Sequence, residues 1–147
     1  MDIGANILVV DSNARQLSWT LELLQRADYS ATGAASFKAA RGLLSSLRYD
    51  LLITNLRLQA YNGMHLIFNS HVLRPHMPAI IIDSTPDPAN ENEARRAGAA
   101  YLGGFPDADR LTTLIKTVLE EEAMLLALAR KMWVAEPAGP GKTPMTN

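Results

Sequence analysis

Ile7-Leu8-Val9-Val10, stopped by Asp11-Ser12-Asn13, decides the fold. Apolar residues in unbroken succession suit a strand buried on both faces, and the three polar residues that follow favour turns and helix caps. The pattern returns at Asp50-Leu51-Leu52-Ile53-Thr54, which ends at Asn55, and at Ala79-Ile80-Ile81-Ile82, which ends at Asp83-Ser84-Thr85. Weaker strands are expected at 29–32 and 100–104. Helical spacing lies between them. Leu17, Leu21 and Leu24 form one stripe, and Ala40, Leu43, Leu44 and Leu47 form a second behind an N-cap at Ser36. After Asn62-Gly63, a third helix runs through Leu66, Ile67 and Val72, and Asp87-Pro88 opens a fourth that ends near Gly98. Asp107 starts a long last helix reaching about Val134. Five alternations of strand and helix, with uniformly apolar strands, predict a doubly wound α/β sandwich with a five-stranded parallel sheet. In such sheets function lies beyond the carboxyl ends of the strands.

Composition agrees with a single globular domain. The 147 residues are 48% hydrophobic, with 14 basic and 15 acidic side chains and no cysteine. Disulfide scaffolds and thiolate metal or redox sites are excluded, and a strongly basic nucleic-acid module is not supported. No apolar run approaches the roughly 18 residues of a membrane helix, and Met1-Asp2 opens no signal peptide, so a cytoplasmic location without membrane contact is expected.

Several short signals lead nowhere. Gly141-Lys142-Thr143 resembles the end of a phosphate-binding loop, but Glu136 stands where the first glycine is needed. His65, His71 and His76 lack helical ligand spacing. No G-x-S-x-G elbow or Ser-His-Asp order occurs. Arg57, Arg95 and Arg96 read as scattered charges.

The strand-end groups are Asp11-Ser12, Asn55, Asp83-Ser84 and the Phe105-Pro106 loop. Here the chain resembles the receiver domain of two-component response regulators, over about residues 5–119, through ILVVDS, YDLLITNLRLQAYNG, PAIIIDS and AGAAYLGGFP in family order. The resemblance implies a flavodoxin-like receiver fold with an extended C-terminal helix. It also implies five functional positions. The paired acids that help hold Mg²⁺ fall on Asp11 and Ser12, and the phosphoacceptor aspartate falls on Asn55. The switch Ser/Thr falls on Asp83, or on Ser84 if the register slips by one. The lysine falls on Phe105, before Pro106, and the switch aromatic falls on Leu102, with Tyr101 one position out of phase. One acid therefore survives from the five groups.

The chemistry expected of a receiver is correspondingly lost. Phosphoryl transfer needs an anionic carboxylate nucleophile, and the amide of Asn55 is neutral. Mg²⁺ prefers carboxylate oxygens, so its binding is expected to be weak or lost. Asp83 would repel a phosphoryl group. It is expected to bond Ser12 or backbone, the alternative being a permanent charge standing in for phosphate. A divalent ion shared by Asp11 and Asp83 is a weak candidate, and no resident cofactor is expected. The expected function is that of a pseudo-receiver: signalling by protein–protein contact with a kinase, regulator or effector, without phosphorylation and without enzymatic turnover. The alternatives are a phosphoaccepting receiver with an altered site, or a small-molecule-binding domain using a pocket at Phe105.

The chain is expected to divide into a receiver-like domain at 1–119, a helical extension at 120–135 and a disordered tail at 136–147, a tail expected to be too short for a DNA-binding unit. Leu111, Ile115, Val118, Glu122, Leu125, Ala129 and Met132 follow the a/d spacing of a helical seam, interrupted by Glu122. Leu125, Leu126, Met132 and Trp133 lie past the sheet. They are expected to mediate a homodimer or partner docking, against a helix folded back on its own domain or a linker.

Overall fold

The computed structural model describes residues 4–135, with side chains through Trp133. The sheet has five parallel strands, β1 (Asn6–Val10), β2 (Ser30–Ala34), β3 (Leu51–Asn55), β4 (Ala79–Asp83) and β5 (Ala100–Gly103), in the order β2-β1-β3-β4-β5. The helices are α1 (Ala14–Arg26), α2 (Phe37–Ser46), α3 (Gly63–Leu73), α4 (Pro88–Arg96) and α5 (Ala108–Ala135). This is the doubly wound α/β sandwich predicted from the apolar runs. The expected tail at 136–147 lies outside the described residues.

Strand alternation sends side chains to two separate cores. Leu8, Val10, Leu52 and Ile81 face Ala40 and Leu44 of α2 and Leu66 and Ile67 of α3. Ile7, Val9, Leu51, Ile53, Ile80 and Ile82 face Leu24 of α1 and Leu111, Ile115 and Val118 of α5. Both faces of β1, β3 and β4 are therefore covered, which is why these strands carry no polar alternation. The expected helix stripes are trimmed at their ends. Leu47 is the C-cap of α2 and half exposed, and Val72 stands on the solvent side of α3.

The caps follow the residues that announced them. Asn13 Oδ1 accepts from Gln16 N–H at 3.0 Å, Ser36 Oγ from Ala39 N–H at 3.1 Å, and Asp87 Oδ1 from Ala89 N–H at 2.8 Å. Asn62, read as part of a loop, proves to cap α3, its Oδ1 accepting from Met64 N–H at 2.7 Å. Between β3 and α3 the chain also forms a small antiparallel ladder, Arg57–Leu58 against Tyr61–Asn62, whose Tyr61 ring stacks on Phe37 at 4.7 Å. Two-residue ladders carry too few residues to show alternation, so the pattern held no trace of it.

Candidate functional site

The chain leaves β1 for α1 on one face and returns through β2 and α2 to β3 on the other side of β1, so the carboxyl ends of β1, β3 and β4 lie side by side. Register carries the polar groups with them. Val10 is paired with Thr54, Asn55 with Ile82, and Asp83 with Gly103. Two backbone bonds tie the ends together, Leu56 N–H to Ile82 O at 2.9 Å and Gly104 N–H to Asp83 O at 2.8 Å. Gly104 has φ +88°, a left-handed conformation that glycine adopts without strain, and it turns the chain out of β5.

The centre of the site is Asp83, whose side chain is 0% exposed. Four donors surround it. Arg57 Nη1 reaches Oδ1 at 2.6 Å, and Thr85 N–H reaches the same oxygen at 3.2 Å. Tyr101 Oη donates to Oδ2 at 2.6 Å and Asn90 Nδ2 at 3.1 Å. Burial by itself would raise the Asp83 pKa. The bonds from Tyr101, Arg57, Asn90 and Thr85 outweigh it and hold the carboxyl below the usual carboxylate range. Burial and the adjacent carboxylate push the Tyr101 phenol upward, so it stays a donor. Asp83 is thus an ionised carboxylate neutralised by a half-exposed guanidinium.

This arrangement corrects several expectations. Asp83 does bond backbone, at Thr85, but its side-chain partners are Arg57, Tyr101 and Asn90 rather than Ser12. Arg57 is no scattered charge: it comes back over Asn55, whose Oδ1 accepts from the Arg57 N–H at 3.0 Å. Leu102 does not occupy the switch position. It is buried on the opposite face of the sheet among Leu111 and Ile115, and Tyr101 is the aromatic that reaches Asp83. Register decides between the two, since Tyr101 pairs with Ile81 and Leu102 with Ile82, and successive residues of a strand face opposite sides. Phe105 does not face the cluster either. It is exposed and lines an open groove of about 750 Å³ with Trp19, Arg15 and Pro106, to which Asp11, Asn55 and Asp83 contribute nothing.

Asp11 is the second buried acid, 7% exposed, and its Oδ1 accepts from Asn13 N–H at 2.9 Å. Burial pushes its carboxyl above the usual carboxylate range, against the smaller opposing pull of the Asn13 N–H and the Asn55 side chain. A carboxyl whose folded pKa is raised costs stability once it ionises. The penalty grows as pH rises from the unfolded value near 3.9 through the folded one, and is absent below both. Asp11→Asn keeps the acceptor for Asn13 and deletes the charge. It is expected to stabilise the domain by about 1 kcal/mol at pH 7, or roughly 4 °C in Tm, with the gain vanishing toward pH 3. Thermal melts at the two pH values measure this.

The donor set does not fit Mg²⁺. Asp11 is the one carboxylate left free of an ion pair, Ser12 and Asn55 are neutral, and Asn55 Oδ1 already accepts a backbone N–H. Both oxygens of Asp83 already accept hydrogen bonds, which disfavours the ion shared by Asp11 and Asp83. Among the described residues no group of three His, Cys, Asp or Glu side chains could hold a metal, and His65, His71 and His76 do not converge on one.

Comparison with known proteins agrees with the topology. The family model "Response regulator receiver domain" matches residues 7–102. The chain is 28% identical over 120 residues to the transcriptional regulatory protein GlrR of Escherichia coli K12, covering 81% of this chain and 27% of that protein. It therefore spans about a quarter of the length of the curated relatives it matches. A CheY-like receiver domain protein from Methanospirillum hungatei JF-1 superposes with a TM-score of 0.78 at 25% identity, covering 82% of this chain and 98% of that one. NtrX from Brucella abortus, solved in complex with ATP, shares the fold with a TM-score of 0.81 at 21% identity, over 86% of this chain and 29% of that one. With the strand order, the fold and the family match in agreement, the chain belongs to the response regulator receiver domain family and carries the receiver domain of a two-component response regulator.

Proposed function

We propose that this domain is a pseudo-receiver, which transmits its signal by protein–protein contact and is not switched by phosphorylation. One observation carries the reading: a buried Asp83–Arg57 pair, with Tyr101 and Asn90 on the second oxygen, closes the end of β4, where the resemblance puts the receiver's switch residue. A switch must have two states of similar free energy, biased by the incoming charge. Here the charge at that position is already present and already paired, and its partners hold Tyr101 in one place. An added phosphoryl group would have to approach a carboxylate and displace its guanidinium.

The residue at the acceptor position supports the same conclusion. Asn55 has no anionic oxygen with which to attack phosphorus, and its carbonyl is engaged by the Arg57 N–H. The degenerate set Asp11, Ser12, Asn55, Asp83 and Phe105 thus lacks acceptor, metal and clamp together. The partner is a protein of the two-component pathway, a kinase, regulator or effector, met in the cytoplasm. Neither nucleic acid nor membrane enters this reading. Among the described residues no helix is long and apolar enough to cross a membrane.

The test is direct. The full chain incubated with Mg²⁺ and acetyl phosphate is expected to give no hydroxylamine-sensitive phosphoprotein. A phosphoprotein that forms in the native chain and is lost in Asn55→Ala would establish the phosphoaccepting alternative instead.

A further inference from the structure

α5 is a single 28-residue helix, and its second half leaves the domain. Val118 and Leu119 still pack on the core, while Leu125, Leu126, Leu128, Met132 and Trp133 beyond them are 61%, 47%, 53%, 66% and 71% exposed. At 3.6 residues per turn these five side chains, with Ala129, share one broad stripe that continues the stripe carrying Val118. The helix does not fold back: Val118, Leu125 and Leu126 form one wall of an open groove of about 760 Å³, whose other wall is His76, Met77 and Ala99 at the amino-terminal edge of the sheet.

Charge along the segment is polar. Residues 120–127 hold Glu120, Glu121 and Glu122 and no base, and residues 128–135 hold Arg130 and Lys131 and no acid. A parallel copy would set Glu122 against Glu122 inside an apolar seam, a like-charge contact that costs free energy. A reversed copy is complementary at every level.

We propose that residues 120–133 of α5 pair antiparallel with the same segment of a second copy of this chain. The register follows from the a/d positions. Leu125 meets Ala129 of the second copy and Glu122 meets Met132, each contact occurring twice about the two-fold axis. Glu121 and Glu122 then lie within a turn of Arg130 and Lys131 of the second copy. Trp133 of the second copy falls beside Glu121, at the mouth of the groove lined by His76 and Met77, where its ring is covered. The pairing is independent of whether Asn55 accepts phosphate.

Native cysteines are absent, which makes disulfide trapping clean. Leu125 and Ala129 are exposed, so replacing either leaves the domain core untouched. The full chain is expected to sediment as a dimer in the micromolar range. Mixed Leu125→Cys and Ala129→Cys chains are expected to form a disulfide-linked heterodimer on mild oxidation, with little product from either variant alone. Leu125→Glu with Met132→Glu is expected to give a folded monomer, its fold checked by circular dichroism. A native chain that stays monomeric, a dimer that survives the double glutamate variant, or efficient cross-linking of Leu125→Cys with itself would each overturn the proposal, the last by showing a parallel pair.

Discussion

Arg57→Met is expected to destabilise the domain by about 2 kcal/mol at pH 7, with the deficit shrinking as pH falls through the folded pKa of Asp83, below the usual carboxylate range. The methionine retains the aliphatic body of the arginine and removes its charge, which leaves Asp83 buried with three neutral donors. Breaking a buried ion pair from one side typically costs about 3–5 kcal/mol. The smaller figure of about 2 kcal/mol applies because the guanidinium is 52% exposed, so water screens part of the interaction. The sign of the pH dependence follows from the carboxyl. In the native protein its folded pKa lies below the unfolded one, so its contribution is full above the unfolded value near 3.9 and is lost as pH falls through the folded value. Without Arg57, burial works against three neutral hydrogen bonds alone and the folded pKa rises. Protonation at low pH then relieves the variant's unpaired charge, and the two proteins converge. Urea denaturation at pH 7 and at successive lower pH values, down through the folded pKa of Asp83, measures how the deficit closes. The double variant Arg57→Met/Asp83→Asn, which removes both charges, is expected to recover most of the loss at pH 7. A deficit independent of pH would mean that Arg57 acts by packing and not by charge.

The second large effect is steric. Gly63 is buried at the first turn of α3, and its N–H bonds Leu56 O at 2.7 Å, across the loop that starts at Asn55. A Cβ there would run into the Asn55 carbonyl oxygen, with Thr54 Oγ1 at 3.2 Å. The first obstacle is backbone held in the sheet, so no side-chain rotation relieves it. Gly63→Ala is expected to cost about 2–3 kcal/mol, at the upper end of overpacking penalties, despite the better helix propensity of alanine. Thermal or urea unfolding gives the number. The same displacement would move Asn55 and the Arg57 N–H that it accepts, so the pH dependence attributed to Asp83 should weaken in this variant as well.

These two residues mark the limits of the sequence. Gly63 reads as part of a turn, because Asn-Gly pairs are common in turns; the close approach of α3 to the end of β3 belongs to the fold and not to any local pattern. Arg57 is 26 positions from Asp83, and nothing in its own neighbourhood predicts that the loop after β3 brings the two together. Its small ladder is too short to have a period. The caps, by contrast, were legible at Asn13, Ser36 and Asp87, because a cap is a contact within a few residues and depends on chain chemistry alone.

Leu102 and Tyr101 show a third kind of limit. Both are apolar enough for a buried strand, so their identity did not say which faces the site. A strand inverts its faces with every residue, and a shift of one residue exchanges the two. Pairing of Tyr101 with Ile81 and Leu102 with Ile82 decides the matter, because β4 carries its own alternation into β5. The exposed stripe on α5 lies between these cases. Its period and its composition were readable, and the distance at which the sheet ceases to cover it was not. That depends on where Val118 and Leu119 leave the core.

What the sequence determined by itself is the architecture and the residue types at the strand ends. Unbroken apolar runs ending in polar residues require strands covered on both faces, and position 55 carries a neutral amide in any fold. What the tertiary structure decided is the state of the remaining charges. Whether Asp83 is a free anion, a metal ligand or half of an ion pair depends on side chains that meet only when β3, β4 and β5 are in register. Electrostatic energy depends on distance and burial, and neither is a property of a residue's position along the chain.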